Sequence, residues 1–160
     1  MAIKNKRAVG GIVSAVVIAA AVAFVGPREG VELKAYRDIV GVKTICYGET
    51  QGVQMGDTAT LEQCKTRLAS RLAEFDIAMQ KCLPPDLPVK TETAFLSFSY
   101  NLGPTILCSS QTMSRLIKAG DIAGACREMV MFNRAGGKVV RGLTLRREAE
   151  RDLCLEGLQQ

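Results

Sequence analysis

Three side chains in the first third of the chain, Glu29, Asp38 and Thr44, are of the types needed to move a proton and hold a water molecule: two carboxyls and a hydroxyl. Eight residues lie between the first two and five between the second and third. The 160 residues contain no His, which removes Ser-His-Asp and Cys-His nucleophile systems and every His-containing zinc site. Acid and base chemistry must then rest on carboxyls, Lys, Tyr or Cys, with no metal and no cofactor required. Singly, each residue also has a structural explanation. Glu29 suits the first turn of a helix through its dipole, Asp38 suits a turn, and Thr44 suits a strand.

The elements that must position them follow from punctuation and periodicity. Pro27 marks a helix start, with Glu29, Leu33 and Tyr36 on one face. From Arg37 to Gly48, the turn formers Asp38 and Gly41 alternate with aliphatic and β-branched residues, a small β-hairpin. Gly52, Gly56 and Asp57 mark a loop. Leu61, Cys64, Leu68, Leu72, Phe75 and Met79 then recur at helical spacing, behind Thr60 and Gln63 placed as a capping box. Pro84, Pro85 and Pro88 close that helix, and a second carries Ala94, Phe95, Phe98 and Leu102 up to Gly103. After Met113, Leu116 and Ile117, Asp121 is placed to cap a helix with Ile122, Cys126 and Met129. The last helix runs from about Thr144 to Leu155, with Arg146, Arg147, Glu148, Glu150 and Arg151 as a polar outer face. The expected class is α+β: a small β lobe, then a mainly helical lobe, with a cleft between them.

Ala8 to Val25 is an uncharged stretch behind Lys4, Lys6 and Arg7. As a helix it would reach roughly 27 Å, just short of the hydrocarbon layer of about 30 Å. Six Ala, two Gly and a Ser dilute its aliphatic residues and it holds no Leu, so insertion is weak. The basic cluster predicts a cytoplasmic N-terminus and an exported body. Three readings stay open: a signal cleaved after Ala21-Val22-Ala23, a permanent anchor, and the favoured one, a temporary anchor that leaves the bilayer. Those three basic residues supply more than half of the net charge of +5, and aromatics are 5%, which argues against nucleic-acid binding.

Six cysteines fall in the exported part and none forms Cys-x-x-Cys, so they read as three disulfides, with buried thiols as the alternative. Of the fifteen pairings that six cysteines allow, the favoured set joins Cys46 to Cys64, Cys82 to Cys108 and Cys126 to Cys154.

Glu29-Gly30-Val31-Glu32-Leu33-Lys34-Ala35-Tyr36-Arg37-Asp38, followed by Gly41 and Thr44-Ile45, closely resembles the active-site motif of phage lysozymes of the T-even type, glycoside hydrolase family 24. The likeness continues through Phe98-Ser99-Tyr100-Asn101-Leu102-Gly103 and Arg141-Gly142-Leu143 with Arg146-Arg147, segments that read as packing. With the Ala/Val-rich start, the chain resembles a signal-arrest-release endolysin: a release segment at 1–26, then a lysozyme-like catalytic domain at 27–160. The resemblance implies hydrolysis of the β-1,4 link between N-acetylmuramic acid and N-acetylglucosamine in peptidoglycan. Glu29 is then the general acid, which must keep its proton through partial burial, while ionised Asp38 and Thr44 hold the attacking water. Glu32 and Glu49 are carboxyl neighbours, so the choice of Glu29 rests on the motif. Many relatives have His after a Thr-Ile-Gly-x-Gly run; here Thr44-Ile45-Cys46-Tyr47-Gly48 precedes Glu49, and a local ion pair is lost.

Three residues separate Val25 from Glu29, so a membrane-held segment pins the acid at the lipid surface and keeps the site unassembled. A membrane potential restrains the three basic residues by about 7 kcal/mol per 100 mV, at about 2.3 kcal/mol per charge. A holin-type depolarisation is therefore the expected trigger, and refolding of the small apolar residues onto the body the expected activation step. The protein is expected at the inner membrane, then in the periplasm, as a monomer. A non-catalytic peptidoglycan-binding module and a membrane-disrupting protein are the rival classes.

Overall fold

Helix α1 (Ala15–Glu29) opens the computed structural model, which describes residues 14–159. Ser14 caps α1 by accepting from the Val17 amide, and Gly30, at φ 72°, ends it. Pro27 therefore lies inside the last turn of a helix and does not begin one. Glu29 closes the helix, where the dipole opposes a carboxylate, and is not in a first turn. The stretch from Gly30 to Tyr36 is not helical either. Gly30 breaks the helix, and three positions at helical spacing were too few to separate helix from strand.

Strand β1 (Glu32–Arg37) pairs antiparallel with β2 (Lys43–Cys46), so the hairpin starts five residues before Arg37, the expected point. Glu32 lies opposite Cys46 and Tyr36 opposite Thr44, with the ladder irregular in between. There the middle of β1 turns to another partner: the Ala35 amide donates to the Asp57 carbonyl and the Ala59 amide to Leu33. This ties the 57–59 segment to the hairpin ahead of α2.

Helix α2 (Leu61–Met79) begins with the expected capping box: Thr60 Oγ1 accepts from the Gln63 amide, and the Gln63 side chain accepts from the Thr60 amide. Its apolar stripe, Cys64, Leu68, Leu72, Phe75 and Met79, is buried. Helix α3 (Val89–Leu102) is the axis of the body, with Thr91 to Ser99 buried without interruption, so neighbours enclose it on every side. It packs against α1, α2 and α7 (Arg141–Leu158). Between α3 and α7 run α4 (Ile106–Ser109), α5 (Gln111–Lys118), and α6 (Ile122–Glu128), capped by Asp121 as expected. A single 3-10 turn at Met129–Met131 and a second hairpin, β3 (Arg134–Ala135) with β4 (Lys138–Val139), complete the lobe.

Helix α1 lays Val17, Ala21 and Val25, one residue per turn, against α2 and α3. Its other side, including Val16 and Ala19, is exposed and still apolar. Among the described residues no helix is long and apolar enough to cross a membrane; residues 8–13 of the expected span lie outside them. Three disulfides form with the expected pairing, Cys46–Cys64, Cys82–Cys108 and Cys126–Cys154, at Cα separations of 5.0, 5.5 and 5.6 Å. They clip β2 to α2, the end of α2 to α4, and α6 to α7.

The last helix corrects a further expectation. It starts at Arg141, and Arg146, Arg147 and Glu150 are buried instead of forming an outer face. Opposite charges on adjacent turns satisfy one another there, so a charged face goes inward. At the far end of α7, Gly157 permits close approach to α3: a Cβ would stand 2.6 Å from the Thr91 backbone nitrogen. Gly157→Ala is expected to cost about 1–3 kcal/mol by overpacking, read as a lowered denaturation midpoint with an unchanged m-value.

Candidate active site

Glu29 reaches the site because α1 stops there. Gly30 turns the chain sharply into β1, leaving the carboxyl at the junction of α1, the hairpin and the body, 23% exposed. It lines a cavity of about 590 Å³ with Glu32, Tyr36, Cys46, Tyr47 and Gly48. The wall is therefore largely hairpin, and the helix end supplies the acid.

The guanidinium of Arg146, on α7, donates through Nη1 to Glu29 Oε1 at 2.5 Å. Arg146 also donates from Nε to Glu150 Oε1 at 3.1 Å. Arg147 Nε lies 2.8 Å from Glu150 Oε2, its Nη2 donates to Asn101 Oδ1 at 3.0 Å, and the Ser97 hydroxyl donates to Glu150 Oε1 at 2.7 Å. Two carboxyls and two guanidiniums thus form one cluster from α1 through α7 to α3. Burial pushes the Glu150 carboxyl up, against the pull of Arg147, the Ser97 hydrogen bond and Arg146. The same burial lowers Arg147, which Glu150 partly offsets.

Asp38 sits in the hairpin turn, half-buried. Its Oδ1 accepts from the amides of Val40 and Val42 at 3.0 and 2.8 Å, and Arg37 clamps the turn by donating to the Gly41 carbonyl. Thr44 is buried and its hydroxyl donates to the Val42 carbonyl at 3.0 Å. It lies opposite Tyr36 in the ladder, and directly opposed residues share a sheet face, so Thr44 is on the side of a residue that lines the cavity. The structure thus gathers Asp38 and Thr44 on one hairpin whose base meets Glu29, although neither lines the cavity itself. Of the rival carboxyls, Glu32 lines the cavity, whereas Glu49 turns to the Thr50 and Gln51 amides.

Cys46 has φ 60°, a left-handed conformation that costs a non-glycine residue about 1–3 kcal/mol. The geometry explains why the motif commonly has Gly at this position, and the bond to Cys64 holds the cysteine in it.

Sequence reasoning missed Arg146, Glu150 and Tyr100 as parts of the site. The signal for the first two was the Arg146–Glu150 and Arg147–Glu150 spacing of four and three, which marks paired charges without saying which way they face. Tyr100 packs against Phe75 in a tilted arrangement, with ring centroids 5.3 Å apart, and its hydroxyl lies 3.4 Å from the Tyr47 carbonyl on the cavity wall.

The matched family model is that of phage lysozyme, over residues 27–150. The SAR-endolysin of Bacteriophage PS119 is 42% identical over 132 residues, 82% of this chain and 78% of that protein. The SAR-endolysin of Pseudomonas phage phiKMV is 40% identical over 147 residues, 89% of this chain and 91% of that one. Among solved structures, the active form of the P1 phage endolysin Lyz superposes with a TM-score of 0.77 at 27% identity, covering 87% of this chain and 84% of that one. The muramidase domain of SpmX from Asticaccaulis excentricus gives 0.76 at 25% identity, covering 85% of this chain and 95% of that one. The fold is that of a lysozyme-type glycoside hydrolase. The chain belongs to the phage lysozyme family.

Burial, reinforced by the charges of Glu29 and Glu49, raises the Tyr100 phenol from 10.0 to about 12. The neutral phenol therefore contributes stability in full below pH 10, and that contribution is lost as the pH rises through about 12. In an absorbance titration of tyrosinate, one of the three tyrosines is expected to ionise near pH 12, and Tyr100→Phe to remove that step.

Proposed function

We propose that this protein is a signal-arrest-release endolysin that cleaves the β-1,4 bond between N-acetylmuramic acid and N-acetylglucosamine in peptidoglycan, lysing the host cell at the end of phage infection. The observation that carries the reading is the placement of Glu29: half-buried at the cavity, at the end of the N-terminal helix, with one carboxyl oxygen held by Arg146. In this reading Glu29 is the general acid that protonates the departing glycosidic oxygen. With Oε1 engaged by Arg146, Oε2 is the oxygen that presents the proton. Asp38, fixed in its turn, acts with Thr44 to hold the water that attacks from the opposite face of the sugar, the inverting course. Proton donation and water activation are then divided between the helix end and the hairpin.

Residues 1–26 are the release segment and 27–160 the catalytic domain. The segment first sits in the inner membrane, with a cytoplasmic N-terminus and a periplasmic body, and a holin-type loss of potential frees it. Two observations support exchange between lipid and protein. Helix α1 is apolar on both its buried and its exposed side, and its buried stripe is made of small residues that a matching surface can accept without deep interlocking. Because Glu29 is the last residue of α1, drawing the helix into the bilayer takes the acid away from Arg146 and the cavity together. The released protein acts as a monomer on glycan strands.

Glu29→Gln, which keeps shape but not the acid, is expected to lose at least 100-fold in turbidity clearing of permeabilised cells, the scale of general acid catalysis. Wild-type clearing by that variant would remove Glu29 from the role. A protonophore is expected to move the intact protein from the membrane to the soluble periplasmic fraction; complete retention in the membrane would refute the release step.

A further inference from the structure

The catalytic reading uses Glu29, Asp38 and Thr44 and leaves unexplained why a third carboxyl, Glu150, is fully buried behind them. Glu150 bonds to Arg146 and Arg147 at once, and Arg146 is the group that meets Glu29. We propose that Glu150 is a positioning residue for the acid: it orients the Arg146 arm and, by balancing one of the two buried guanidiniums, governs the pH range over which the enzyme is active. This inference rests on Glu29 being the acid.

Charge counting inside the cluster carries the argument. With Glu29 ionised, Glu29, Glu150, Arg146 and Arg147 sum to zero. When Glu29 takes up its working proton, the cluster becomes +1. A buried excess charge is poorly screened, so any further positive charge opposes that proton and any further negative charge favours it. Among the described residues, Glu29 and Glu150 are the carboxyls that bond to Arg146 and Arg147. From α3 the cluster meets Ser97, Asn101 and the phenol of Tyr100, and from α1 it meets Arg28, a further cation. The buried residues of α6 and the turn after it, Ala125, Cys126 and Met129, bring no titrating group, Cys126 being held in its disulfide. From the hairpin, Glu32 and Tyr36 line the cavity, while Glu49 and, from α2, Arg71 act on the Tyr100 phenol with opposite signs.

The two members of the buried pair therefore have opposite predicted effects. Glu150→Gln leaves Glu29 facing two uncompensated guanidiniums and is expected to move the alkaline limb of lytic activity to lower pH by roughly one to two units. Arg147→Met removes one positive charge and is expected to move the same limb to higher pH. The double variant restores the balance and is expected to return the limb close to its wild-type position. The measurement is the kcat profile on purified sacculi across pH, corrected for folded fraction by near-UV circular dichroism. A purely structural role lowers activity by one factor at every pH, with no displacement of the limb.

Limbs that stay in place, or move in the same direction for both single variants, overturn the proposal. Should Glu150→Gln fail to fold, Arg147→Met decides alone: an upward displacement supports the proposal and an unmoved limb overturns it. Loss of activity in Glu29→Gln together with unmoved limbs would remove this inference and leave the catalytic reading intact.

Discussion

The ion pair between Glu29 and Arg146 is the contact on which the arrangement of this molecule depends, because it joins the two ends of the fold. Glu29 closes the first helix and Arg146 stands near the start of the last one, 117 residues later in the chain. Everything between them serves to bring those ends together: α3 forms the common surface on which both helices rest, and the hairpin closes the cavity in front. A carboxylate at a helix C-terminus is opposed by the dipole, so Arg146 both fixes Glu29 in place and offsets that repulsion.

Burial of this cluster has a cost that packing alone would not require. Replacing buried ion pairs by apolar residues is often neutral or stabilising, so four buried or half-buried charges are weak evidence for stability. The buried side of α1 carries the opposite design: Val, Ala and Gly offer area without deep interlocking, so its docking energy stays modest. Much of the definition of the docked state therefore falls to the polar contact at its tip. The N-terminal helix and the cavity are one structural unit, since the residue that ends the first lines the second.

The disulfides support this division. One clips the hairpin to α2 directly behind the cavity, and another joins α6 to α7 on the helix that carries Arg146. In the chain-entropy view each closed loop of 18 to 28 residues contributes about 3 to 4 kcal/mol. None of the three bridges involves α1, so the links they make are independent of where that helix packs.

Local chemistry in the sequence was enough for the α+β class, the capping box of α2, the Asp121 cap of α6 and the family likeness in the stretch from Glu29 to Ile45. Those features depend on residues within a few positions of one another or on a motif that is itself contiguous. The sequence did not reveal that Pro27 sits inside a helix, that residues 32 to 37 form a strand, or that Arg146, Arg147 and Glu150 face inward. Pro27 and Glu29 are compatible with either end of a helix by propensity, and only docking of the preceding apolar stretch on α3 selects the C-terminal end. A run of charges reads as solvated until a partner carboxyl from more than a hundred residues away arrives beside it. Tertiary structure decided these points because burial and charge pairing are relations between segments, and a one-dimensional pattern contains only one side of each.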